Sequence, residues 1–212
     1  RLSYTLYEGN REILLQTQSI VVDWVCDRPP ERHVGIAVVV CTRDRDTQLQ
    51  VLVDHIAPQE GDMEGCLIVN QGKVALKDRL VWRGDQRKYR IFEQDNLGGA
   101  GGFTRGIMEA FKDQNVTHVL LMDDDVEVDA GLFYRLRSAL AYVVSPKTCL
   151  GGAMIDLDDR DRLLSIGHGF DYTKAITTDL LPREGVRLRE TKARSFLERP
   201  VDVDFCGWWF FC

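Results

Sequence analysis

His118-Val119-Leu120-Leu121-Met122-Asp123-Asp124-Asp125 runs from four apolar residues straight into three carboxylates. A short apolar run ending at polar residues reads as a strand buried on both faces, the kind that builds parallel sheets. Carboxylates placed just after it stand at the strand's C-terminal end, the rim where open α/β sheets bind ligands.

Working outward, three more stretches read the same way: residues 34–41, which are continuous and rich in β-branched side chains, then 66–69 and 89–92. Between them lie helical spacings. Leu49, Leu52, Val53 and Ile56 recur at i, i+3, i+4 and i+7, and Phe103, Ile107, Ala110 and Phe111 mark a second amphipathic segment at i, i+4, i+7 and i+8. Leu132, Phe133, Leu136 and Leu140 mark a third helix after the acidic cluster. Alternating strands and helices predict an α/β fold with a mostly parallel sheet flanked by helices. Residues 1–30 end at Asp27-Arg28-Pro29-Pro30 and read as a linker, the end of an upstream module or an edge hairpin. Residues 31–212 form the expected domain, read as a fragment of a longer protein. Residues 156–204 mix charges with weak periodicity and give no placement.

Composition narrows the class. The chain has 212 residues, 44% of them hydrophobic, and a net charge of −6, which suits a folded domain and argues against a nucleic-acid partner. No run approaches the roughly 20 apolar residues of a membrane span, and no signal peptide is legible. Six cysteines without a Cys-x-x-Cys pair suggest neither zinc nor a disulfide framework. The expected setting is cytoplasmic, with any attachment to the inner face of a membrane peripheral and supplied by parts outside this chain.

The chemistry is expected on the rim. Polar residues follow each strand: Thr42-Arg43-Asp44, then Asn70-Gln71-Gly72, then Glu93 to Gly102 with its glycine-rich end, then the three aspartates. Adjacent carboxylates repel one another and call for a counter-charge. Mg²⁺ or Mn²⁺ supplies one by binding one or two protein carboxylates and completing its shell with phosphate oxygens and water. The competing reading is a solvated acidic turn at a helix start. The glycine-rich stretch before the Phe103 helix suits an anion near a helix N-terminus, or is simply a tight connection. It is neither the Gly-x-Gly-x-x-Gly fingerprint nor a Walker loop.

Taken together and in order, these motifs and the late Gly207-Trp208-Trp209 segment resemble the nucleotide-sugar domain of inverting family 2 glycosyltransferases. The likeness covers about residues 34 to 212 and is nearest the galactofuranosyltransferase branch. It implies a GT-A fold that binds a UDP-sugar with Mn²⁺ or Mg²⁺ and passes the sugar to a glycan or lipid-linked saccharide. By that resemblance Thr42, Arg43, Asn70, Asn96, Gly98, Gly99, Asp123, Asp124 and Gly152 hold the nucleotide-sugar. Asp123 and Asp125 hold the metal, and Trp208 and Trp209 line the acceptor site, unless they simply pack a core. The family's general base and a metal-binding histidine are expected beyond Cys212. His168 reads as structural, and the acidic run Asp156, Asp158, Asp159 and Asp161, interleaved with arginines, as a solvated face.

Three rivals remain at this level. A sugar nucleotidyltransferase usually carries a glycine-rich loop after its first strand, which Thr42-Arg43-Asp44-Arg45-Asp46 lacks. A non-catalytic nucleotide- or carbohydrate-binding module is the second. A calcium loop on Asp123, Asp125, Glu127 and Asp129 is the third, without the glycine and terminal glutamate of an EF-hand.

Overall fold

The structure, a computed structural model, describes residues 6–8, 11–13, 28–77, 79–145, 147–190, 200–206 and 209–211. Strands β1 (Leu6–Glu8) and β2 (Arg11–Ile13) pair antiparallel as a small sheet of their own. The body then alternates: β3 (Ile36–Thr42), α1 (Asp46–Ile56), β4 (Gly65–Asn70), β5 (Tyr89–Glu93), α2 (Gly98–Ala110), β6 (His118–Asp123) and α3 (Leu132–Tyr142). Shorter strands follow: β7 (Leu150–Gly151), β8 (Met154–Ile155), β9 (Arg162–Ser165), β10 (His168–Asp171), β11 (Ile176–Asp179), β12 (Val186–Arg187) and β13 (Trp209–Phe211).

The central sheet has the order β5-β4-β3-β6-β13-β7. Its first four strands are parallel, as the apolar runs predict, and β13 enters antiparallel to both β6 and β7. Because successive strand residues point to opposite faces, β3 feeds two cores. Ile36, Val38 and Val40 pack with Leu49, Leu52, Val53 and Ile56 of α1 and with Phe133, Leu136 and Leu140 of α3. Ala37 and Val39 pack with Leu67, Val119, Leu121 and the Ala110 face of α2. A fully buried Leu or Phe side chain contributes about 1.5–3 kcal/mol, so these two layers hold the parallel half together.

One boundary differs from the sequence reading. Residues 98–102 are the first turns of α2 itself, not a loop before it. The glycines let the helix lie close on β3. A Cβ on Gly106 would meet Val39 Cγ1 at 2.1 Å, and one on Gly102 would meet Cys41 Sγ at 2.5 Å.

The stretch without periodicity is antiparallel. β12, β9 and β8 form one three-stranded sheet, and β10 pairs with β11 in a hairpin. Gly152, which the resemblance assigns to the nucleotide-sugar, lies between strands: Gly152 and Ala153 separate β7 in the central sheet from β8 in the other. At the start of the body, Arg28 and Arg32 donate to the Tyr142 and Val144 carbonyls at the end of α3. Among the described residues no helix is long and apolar enough to cross a membrane.

Candidate functional site

The parallel register sets Cys41 beside Asp123, so the end of β3 and the acidic end of β6 lie side by side. Between them opens a cleft of about 380 Å³ lined by Thr42, Arg43, Arg45, Gln71, Gly98 and Asp123, among others. Asn96, Gly99 and Asp124 also line it. Residues from the rim motifs after all four parallel strands therefore share one cleft.

The three carboxylates have different surroundings. Asp124 is 5% exposed and accepts a 2.6 Å hydrogen bond from Thr42 Oγ1. Arg45 Nη1 lies 3.4 Å from Asp124 Oδ1 and 2.5 Å from Asp125 Oδ2. Asp125 is exposed, and Asp123 is half-buried. Burial, then the charges of Asp125 and Asp124, push the Asp123 carboxyl above its usual range, and Arg45 only partly opposes them. The same burial and the Asp123 and Asp124 charges raise the neighbouring Cys41 thiol to about 12, so it stays protonated. The counter-charge that the sequence calls for is thus partly supplied from within, by Arg45. The sequence reading quoted Arg45 in a motif but gave it no place at the site, although it follows Arg43 by two positions and immediately precedes α1.

The opposite wall is built by Gln71, which the sequence reading quoted in a motif but did not place at the site. Its backbone N–H donates to the Thr42 carbonyl at 2.9 Å. Its side-chain Nε2 donates to the Gly98 carbonyl at 3.0 Å, and its Oε1 accepts from Leu97 N at 2.8 Å and Gln94 Nε2 at 3.1 Å. Buried at 7% exposure, it clamps the start of α2 to the end of β4. Asn96 Oδ1 accepts from the Gly98 N–H at 3.1 Å, an Asx turn that sets the helix entry. Gly98 has φ +70, a left-handed conformation that favours glycine. A Cβ on Gly98 or Gly99 would find no neighbour within 4 Å, so both face open space at the helix start.

Asn70 lies elsewhere. It is 2% exposed, and its Nδ2 donates to Glu93 Oε2 at 2.7 Å and the Val74 carbonyl at 2.9 Å. Its Oδ1 accepts from Gly72 N. These bonds shape the 71–76 loop and place Gln71, rather than Asn70, in the cleft. Gly152 lines a second cavity of about 580 Å³, whose floor includes Met122, Val126 and Leu132. Met122 immediately precedes Asp123, so the two cavities flank the aspartates. Trp208 lies outside the described residues. The backbone of Trp209 pairs with Met122, which brings β13 beside the same corner.

Among the described residues no group of three His, Cys, Asp or Glu is arranged to hold a metal by itself. The calcium-loop geometry is absent because its acids diverge to separate arginines: Asp125 to Arg45, Glu127 to Arg160 and Asp129 to Arg135. The chemistry of Asp123 and Asp125 still suits a cation that shares its coordination with phosphate. Both are hard oxygen donors, Asp123 lining the cleft at the end of β6 and Asp125 held at its edge by Arg45, and such a cation needs only one or two carboxylates. His168 is tied into the antiparallel part, with Nδ1 2.8 Å from Asp179 Oδ1 and its ring stacked on Phe205. The acidic run 156–161 forms ion pairs with Arg162, Arg187 and Arg189.

Fold and cleft define an α/β domain whose parallel sheet presents clustered acids, arginines and a helix start on one rim. The chain belongs to the family described as glycosyltransferase like family 2, whose model matches residues 32–199. It is 26% identical over 200 residues to galactofuranosyltransferase GlfT2 of Mycobacterium tuberculosis, and 32% identical over 206 residues to GlfT2 of Mycolicibacterium smegmatis. Each alignment covers 88% of this chain, which spans 31% of the length of those curated relatives. Among solved structures, a mannosyltransferase from Pyrobaculum calidifontis, in complex with GDP-Man and Mn²⁺, overlaps 66% of this chain and 41% of its own. That overlap has a TM-score of 0.46 at 16% identity.

Proposed function

We propose that the chain is the donor-binding part of an inverting, metal-dependent glycosyltransferase that takes a UDP-sugar, of which UDP-galactofuranose is the leading candidate. The acceptor is a glycan or a lipid-linked saccharide. One observation carries the reading: Asp123 shares a single cleft with Arg43, Arg45 and the glycine-rich start of α2, and Arg45 ties the adjacent Asp125 to that cleft.

In this scheme the nucleoside lies between Thr42 and Asn96. The diphosphate lies between the exposed Arg43 and the start of α2, whose backbone N–H groups and dipole favour negative charge. Asp123 and Asp125 hold Mg²⁺ or Mn²⁺, which when bound neutralises charge developing on the leaving diphosphate. Asp124, committed to Thr42, keeps β3 and β6 in register rather than taking the cation. The sugar extends from the aspartates toward Gly152 and the second cavity. Gln71 keeps the α2 start in place, and Trp209 stands beside the corner where the acceptor would approach. The galactofuranose choice rests on the relatives' names and not on a contact in the cleft.

Calorimetric titration of UDP with and without Mn²⁺, on wild type and Asp125→Ala, tests the reading. UDP binding is expected to need Mn²⁺ and to weaken at least about tenfold in the variant, about 1.4 kcal/mol. Equal, metal-independent binding by both proteins refutes the donor-site assignment. A preference for UTP with a sugar phosphate points instead to a nucleotidyltransferase.

A further inference from the structure

Arg45 immediately precedes α1, and its carbonyl accepts the Leu49 N–H at 3.0 Å, so its backbone is fixed while its side chain reaches across the cleft mouth. The Arg45 and Asp125 side chains are 51% and 46% exposed. Asp124, by contrast, is 5% exposed and has a second partner in the Thr42 hydroxyl. Of Arg45's two contacts, the one to Asp125 is therefore the exposed and easily broken one, in the range of surface ion pairs. The guanidinium lines the same cleft as Arg43 and Gly98, within the space assigned to the diphosphate.

We propose that Arg45 is a displaceable counter-ion. It occupies Asp125 in the absence of ligand, yields that carboxylate to the divalent cation, and passes to the nucleotide's diphosphate, so that cation and nucleotide bind cooperatively. The inference rests on the metal-and-diphosphate reading above. A cation arriving alone must break the Arg45–Asp125 pair without replacement. With a diphosphate present, the released guanidinium gains a phosphate partner that matches its planar donors. The two ligands then strengthen each other's binding by the same factor, as linkage requires.

Mn²⁺ binding to the full chain, followed by the electron paramagnetic resonance signal of the free ion, separates the cases when repeated with and without UDP. Without UDP, Arg45→Gln is expected to bind Mn²⁺ about threefold more tightly than wild type, the size of a half-exposed ion pair. The enhancement of Mn²⁺ affinity by UDP is expected to shrink in this variant. Arg43→Gln removes the same charge from the cleft without breaking an aspartate pair, and is expected to weaken UDP while leaving Mn²⁺ alone unchanged. The proposal is overturned if Arg45→Gln binds Mn²⁺ no more tightly than wild type, or if Arg43→Gln tightens Mn²⁺ equally. Loss of Mn²⁺ binding in Asp125→Asn alongside a silent Arg45→Gln sinks only the Arg45 inference. Unaltered Mn²⁺ binding in Asp125→Asn sinks the donor-site reading and this inference with it.

Discussion

The parallel half of the molecule and its antiparallel part are held by different forces. β3, β4 and β6 are sealed by apolar side chains on both faces, with Ile36, Val38, Ile68 and Leu120 fully buried. The sheet of β8, β9 and β12 buries little besides Leu163 and Ser165. Its connections are charged: Arg187 reaches Asp159 at 2.5 Å, Arg162 reaches Asp159 at 3.5 Å, and Arg189 reaches Asp161 at 3.2 Å. Dispersion and desolvation hold the first half, whereas exposed ion pairs, each weak and screened by salt, tie the second. The candidate cleft lies on the apolar-packed side, where the buried Thr42, Gln71 and Asp124 are held by their hydrogen-bond partners.

The contrast predicts a ranking of effects. Phe133→Ala, which empties a fully buried site between α3 and the sheet, should cost about 3–5 kcal/mol by urea denaturation. A smaller loss than that of any charge substitution in the antiparallel part would break the comparison. Arg187→Gln should cost less than about 1 kcal/mol. Its companion measurement is hydrogen exchange, which should quicken in β9 and β12 but not in β3 or β6 as NaCl is raised to about 1 M. Uniform response across both halves would count against charge as the fastening of the second.

The smallest effect sharpens the picture within the apolar-packed half. Burial, and secondarily the Arg32 charge, depress the pKa of His118, which is 7% exposed at the start of β6. The unfolded chain then binds the proton more readily than the folded one. Its contribution is complete above the ordinary histidine value near 6.5 and is lost as pH falls through the depressed folded value. His118→Gln should flatten the stability curve on the acid side of neutrality. An unchanged acid limb in the variant would place the titration in other groups.

The parallel half was legible because β3, β4 and β6 carry uninterrupted apolar runs, and because the helical spacing of Leu49, Leu52, Val53 and Ile56 matches the face that α1 buries. Most of the rim was legible too, since polar residues that abruptly end an apolar strand stand out. The α2 start was placed late, because glycine-rich sequence ordinarily reads as loop, whereas here the missing side chains permit close packing on β3. Asn70 and Gln71 are adjacent and similarly polar. Only strand direction decides that the first turns toward Glu93 and the second toward Gly98. Arg45 was missed although the excess of carboxylates called for an internal cation, because a pairing across 79 or 80 residues leaves no local pattern. The antiparallel part was opaque for the same reason that it is weakly buried: without an apolar face there is no period to read.

The place of β13 bears on how the molecule is made. The strand that carries the aspartates has β3 on one flank and, on the other, a segment synthesised much later, which is also the pairing partner of β7. On the ribosome, therefore, β6 must wait with one flank of its backbone amides and carbonyls open to water until residue 209 emerges. An unpaired flank of that kind invites pairing with other chains. A protein shortened before Trp209 keeps every residue assigned to nucleotide binding yet gains an adhesive border, and its yield in soluble form reports on that single late stitch.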